Sequence, residues 1–128
     1  MIANLKLFAV LSTTNLERAK KFYGETLGLK LTEKNGTPDG HLYFEAGGGT
    51  GLVVYQRPEA PKAENTVAGF EVDDIEAVMK QLRENGVTFE EYDYPNFKTV
   101  NGVATMGSFK SSWFKDPDGN IVALNQIS

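Results

Sequence analysis

The sequence has no cysteine and a single histidine, His41, among its 128 residues. Without cysteine there can be no disulfide framework, thiolate zinc site, iron–sulfur cluster or cysteine nucleophile. One histidine rules out HExxH and multi-histidine metal centres. No stretch approaches the roughly 18 apolar residues that a membrane span needs. The start, Met1-Ile2-Ala3-Asn4, lacks the basic segment and apolar run of a signal peptide. Positive charge is in deficit: 13 Lys and Arg stand against 17 Asp and Glu, a net charge of −4. That balance offers no footprint for nucleic acid or an anionic membrane. The expectation is a cytoplasmic protein with neither partner.

What is present is ordinary for a globular chain, with 41% hydrophobic and 23% charged residues. Its pattern is a repeat. At an offset of 59, Phe8–Glu17 lies on Val67–Glu76, each a short apolar strand running into a helix start. Thr14-x-x-Glu17 and Asp73-x-x-Glu76 read as capping boxes or their acidic equivalent. Behind them, Leu16, Ala19, Phe22, Tyr23 and Leu27 share one helix face, and Ile75, Val78, Met79 and Leu82 share another. Gly28 and Gly86 stop the helices as left-handed caps. Strands are expected at Leu29–Glu33 and Val87–Tyr92.

At an offset of 70, Tyr43–Gln56 lies on Trp113–Gln126. Both read as hairpins, turning at Gly47-Gly48-Gly49 and at Asp116-Pro117-Asp118-Gly119. The change of offset places an insertion, expected as a loop, around Tyr94–Gly107. The fold class is therefore α+β, with two tandem βαβββ modules at 1–57 and 66–128 and a linker at 58–65. The glycine run lacks the spacing of a phosphate cradle, and Asp116 and Asp118 suit a turn. His41 reads as an exposed turn residue. Phe22, Phe44, Phe70 and Phe114 are assigned to the core, and Tyr92, Tyr94 and Phe97 to a cleft or the insertion.

Three segments together resemble the vicinal oxygen chelate superfamily of glyoxalase I, extradiol dioxygenases and bleomycin- and fosfomycin-resistance proteins. They are Asn15–Leu29, Phe70–Ile75 and Asp116–Asn120. The resemblance implies eight strands around a cleft with helices outside, in a homodimer. Strand alternation then puts Leu7, Ala9 and Leu11 under the helix and Phe8, Val10 and Ser12 on the cleft side. In the other strands Val53, Tyr55 and Arg57, then Val67, Gly69 and Glu71, then Ile121, Ala123 and Asn125 face the cleft.

Metal-dependent members carry a donor on each of four strands, at positions that correspond here to Phe8, Val53, Val67 and Ala123. Four apolar side chains cannot coordinate zinc, iron or nickel, so no metal or other cofactor is expected. The expected function is binding of a small, partly aromatic or amphipathic molecule in a metal-free cleft. Its lining would be Phe8, Val10, Ser12, Val53, Tyr55, Arg57, Val67, Glu71, Trp113, Ala123 and Asn125. The alternative is a metal-independent lyase or isomerase, with a buried Glu71 as acid or base.

Overall fold

Alternating apolar residues open the chain's first sheet. Its strands are β1 (Ala9–Thr13), β2 (Lys30–Thr32), β3 (His41–Glu45) and β4 (Gly51–Gln56), with helix α1 (Leu16–Lys21) after β1. The computed structural model describes residues 1–32 and 39–127. It divides into two units, Met1–Lys62 and Ala63–Ser128. Glu33, named in the strand expectation above, lies outside the described residues.

In the first unit the strand order is β1-β4-β3-β2. β1 runs parallel to β4, and the other pairs are antiparallel. α1 lies against β3 and β4. Leu11, Ala19, Tyr23, Phe44, Leu52 and Val54 are buried. The Tyr23 and Phe44 rings stand 6.0 Å apart in that core.

Two expectations need correction here. β1 begins at Ala9, and Leu7, assigned to the helix side, is 88% exposed. The strand gains ladder partners on β4 only from Ala9 onward, so nothing draws Leu7 beneath the helix. The helix cap is Asn15, not Thr14, with Asn15 Oδ1 accepting the Arg18 N–H at 3.1 Å. Asn caps as well as Thr, and Thr13 ties the Asn15 backbone in place through its hydroxyl. After Lys21 the helix widens, and the Leu27 N–H reaches the Phe22 carbonyl at 2.9 Å. Gly28 ends it at φ 79°.

The second unit holds β5 (Thr66–Glu71), α2 (Ile75–Glu84), β6 (Asp93–Tyr94), β7 (Phe97–Lys98), β8 (Ala104–Met106), β9 (Phe109–Lys115) and β10 (Ile121–Ile127). Its main sheet has the order β5-β10-β9-β8, with β5 and β10 parallel. α2 lies on β9 and β10, burying Ile75, Met79 and Leu82 among Phe114, Val122 and Leu124. Its cap is Asp74, one residue later than expected, accepting the Ala77 N–H at 3.2 Å. A second orphan donor, the Ile75 N–H, is met by Gln126 Oε1 at 2.8 Å from β10. The helix closes in a Schellman motif, with Val87 N–H to Leu82 O and Gly86 N–H to Arg83 O, both at 3.0 Å.

The expected strand at 87–92 shrinks to a single bridge, Phe89 to Phe114, and one bond from Glu90 N–H to Trp113 O. Beyond it, Tyr92 turns to Thr99, which accepts its N–H and donates to its carbonyl. That exchange pulls the chain away from β9. The edge beside Ser111 is then taken by Ala104 of β8, so the insertion is strand-forming and not a plain loop.

Candidate functional site

Each four-stranded sheet has one face covered by its helix and one without, and several of the sequence-assigned site residues occupy strand positions on the latter. In the first unit Val10 pairs with Val53, Ser12 with Tyr55 and Tyr43 with Val53, so all five share a face. Val10 is 54% exposed and Phe8 46%, while Ser12 is buried at 8%. Phe8 meets the Tyr43 ring edge-on at 6.3 Å. Tyr55 stacks on the ring of His41 at 6.0 Å. Arg57 follows β4, its N–H bonded to Thr13 O at 2.9 Å and its side chain exposed.

Tyr43 was not in the sequence-derived lining. Its phenol lies along the sheet where a side chain at Gly51 would project, since a Cβ there would meet the Tyr43 hydroxyl at 2.7 Å. The signal was available: the offset of 70 superimposes Tyr43 on Trp113.

In the second unit Trp113 pairs with Ala123, and Ala123 with Gly69. Ser111 pairs with Asn125, and Asn125 with Glu71, forming a second row on the same face. Val67 is the extra residue of a bulge between Thr66 and Ala68. Ala123 is buried at 3%. Glu71 is exposed at the last position of β5, without the burial that the alternative acid–base reading invoked.

Trp113 stands in an aromatic group. The rings of Tyr92 and Phe97 meet it edge-on at 5.6 and 5.2 Å, and Tyr94 stacks on Tyr92 at 6.2 Å. Burial pushes the Tyr92 phenol up from its usual range, and the nearby Glu90 and Tyr94 add to the shift. The base of the group is tied down by Glu91. Its Oε1 accepts the Thr99 hydroxyl at 2.6 Å and the Gly102 N–H at 2.7 Å. These two bonds, with the Arg83 charge nearby, hold the Glu91 carboxyl below its ordinary value.

Asp116 and Asn120 are buried in the last hairpin turn. Asp116 accepts the Asp118 and Asn120 N–H groups at 2.9 Å, so its role is structural. His41 is exposed, its Nδ1 3.3 Å from Asp39 O.

A family model described as the glyoxalase/bleomycin resistance protein/dioxygenase superfamily matches residues 7–124. The chain belongs to that superfamily. Among solved structures, a superfamily member from Sphaerobacter thermophilus DSM 20745 shares the fold at a TM-score of 0.74 and 22% identity, covering 98% of this chain and 99% of its own. TnmS3, an antibiotic binding protein from Streptomyces sp. CB03234, is 26% identical with a TM-score of 0.71, over 100% and 99% of the two chains. A glyoxalase/bleomycin resistance protein from the same Streptomyces is 30% identical with a TM-score of 0.65, over 94% and 100%.

The superfamily includes metal-dependent enzymes, so the donor chemistry of this member matters. Phe8, Val53, Val67 and Ala123 have no coordinating atom. Their same-face neighbours Val10 and Gly69 add none. Among the described residues no group of three or more His, Cys, Asp or Glu could hold a metal ion. The side chains present do not fit a metal at the four positions. No helix among the described residues is long and apolar enough to cross a membrane.

Proposed function

We propose that this superfamily member binds a small, partly aromatic or amphipathic molecule on its helix-free sheet faces, without a metal. One observation carries the reading: where chelation would need donors, the first unit presents Phe8, Val10 and Val53 beside the rings of Tyr43 and Tyr55. Apolar surface removed from water with a ligand is worth about 25 cal/mol per Å². Each well-placed ring pair adds roughly 0.5–1.5 kcal/mol beyond that area. The antibiotic binding described for TnmS3, at 26% identity, supports the same direction. Glu71 is exposed at a strand end, and the apolar and aromatic face favours binding over the lyase or isomerase alternative.

The test is calorimetric titration with bleomycin and a panel of planar aromatic antibiotics, on wild type and Val53→Asp. The carboxylate at 53 must shed water when an apolar ring covers it. Affinity should fall about 100-fold or more, as for an unpaired buried charge worth ~3 kcal/mol. Without ligand the same group stays hydrated, so the melting temperature should move far less. Equal affinities for the two proteins would remove this face from the binding site.

A further inference from the structure

We infer that Asn125 is the polar selector of the second unit, and that it takes a neutral carbonyl oxygen borne by a planar ring. The inference rests on the binding reading above and names the ligand chemistry. Ser111 Oγ donates to Asn125 Oδ1 at 2.8 Å, and Ser111 is 1% exposed. A buried hydroxyl proton needs an acceptor, and Asn125 Oδ1 supplies it. In the structure the amide oxygen lies on Ser111 and its two N–H donors are directed toward Gly69.

Gly69 provides the room on the donor side. A Cβ at 69 would stand 3.0 Å from Asn125 Nδ2, so the amide leans over the exposed glycine. Among the described residues Nδ2 has no acceptor. A hydrogen-bond donor is thus held in place on the open face. Across the ladder from Asn125 stands exposed Glu71, whose carboxylate repels an anion and so favours a neutral carbonyl over a carboxylate. On the same face, Trp113 offers a flat indole one strand away, with Tyr92 and Phe97 fixing it edge-on.

Trp113 is the sole tryptophan, so its emission reports on this face of the full chain. The probes are xanthone, xanthene (the same tricycle with CH₂ for C=O) and xanthene-9-carboxylate, each titrated by Trp113 fluorescence. Xanthone should bind about three- to tenfold tighter than xanthene, the range of one net hydrogen bond, and tighter than the carboxylate. Asn125→Asp keeps an acceptor for Ser111 but has no donor. It should abolish the xanthone advantage, read as the ratio of the two Kd values, because the new carboxylate weakens both rings alike. Gly69→Ala, which displaces Nδ2 without altering its chemistry, should shrink the advantage. Equal Kd values for xanthone and xanthene in wild type would overturn the inference. So would an advantage that survives Asn125→Asp. In both cases the rings still bind, and the broader reading stands. Binding of none of the three probes overturns the inference as well. The broader reading is then judged by the Val53→Asp titration alone.

Discussion

A single carboxylate ties together the insertion of the second unit. Glu91 accepts from Thr99 and Gly102, and Thr99 in turn holds both backbone groups of Tyr92. The hairpin that brings Phe97 to Trp113 is therefore anchored by one ionised group. Its folded-state value lies below the ordinary 4.5. A depressed carboxyl contributes stability that is complete above the unfolded value and is lost as pH falls through the folded one. Glu91→Ala should lower the melting temperature at pH 7, and the gap from wild type should narrow as the pH drops below 4.5. Thermal melts between pH 7 and pH 2.5 check this, and a gap independent of pH would contradict it. At this scale the sequence was least legible. Glu91 stands in an acidic run with Glu90 and Asp93 and is exposed, but its bonds to Thr99 and Gly102 are not legible, because these partners lie across a loop whose path no local pattern specifies.

Among the elements, helices and their stops were the most legible part, since period, cap chemistry and terminal glycine act over a few residues. The caps slipped by one, to Asn15 and Asp74, because adjacent residues of equal capping power compete and the incoming strand decides between them. The edge of the second sheet was misread because Val87–Tyr92 has strand composition, whereas the pairing partner is chosen by Thr99. Two glycines separate backbone from packing effects. Gly86 has φ 94° with open space around a would-be Cβ. Gly86→Ala should cost about 1–2 kcal/mol, the left-handed backbone penalty alone. Gly102 has φ 81°, and a Cβ there would meet Met79, Arg83 and Phe89 at 3.0–3.2 Å. Gly102→Ala should cost about 1–3 kcal/mol more, from overpacking against α2. Denaturant unfolding of the two variants gives the comparison, and equal losses would mean that the packing gives way freely.

At the scale of the whole molecule, the edge strands of the two four-stranded sheets each have one side without a ladder partner among the described residues: β1 and β2 in one sheet, β5 and β8 in the other. Ile2, Leu5 and Leu7 add exposed apolar surface ahead of β1. We propose that the chain forms a homodimer, which covers such edges. Light scattering at micromolar concentration should give twice 14.1 kDa, and a monomer would refute the proposal. Elemental analysis of the purified protein should find no stoichiometric zinc, iron or nickel, and one ion per chain would overturn the donor argument at Phe8, Val53, Val67 and Ala123. The alternation that puts Val53 and Ala123 on helix-free faces is legible, because period two needs only a strand and one buried side, whereas Phe8 precedes β1 and Val67 sits in a bulge. Which face residues stay open was not, since Ser12 and Ala123 are covered by neighbours that parity cannot foresee. The sheets also set an order of assembly. In the second unit β10 joins β5 to β9 and supplies Gln126 to the start of α2, and it is the last strand in the chain. During synthesis β5 and β9 therefore emerge without the partner that lies between them. The sheet is completed only when residues 121–127 leave the ribosome, and until then β5 has no strand partner and β9 has only β8.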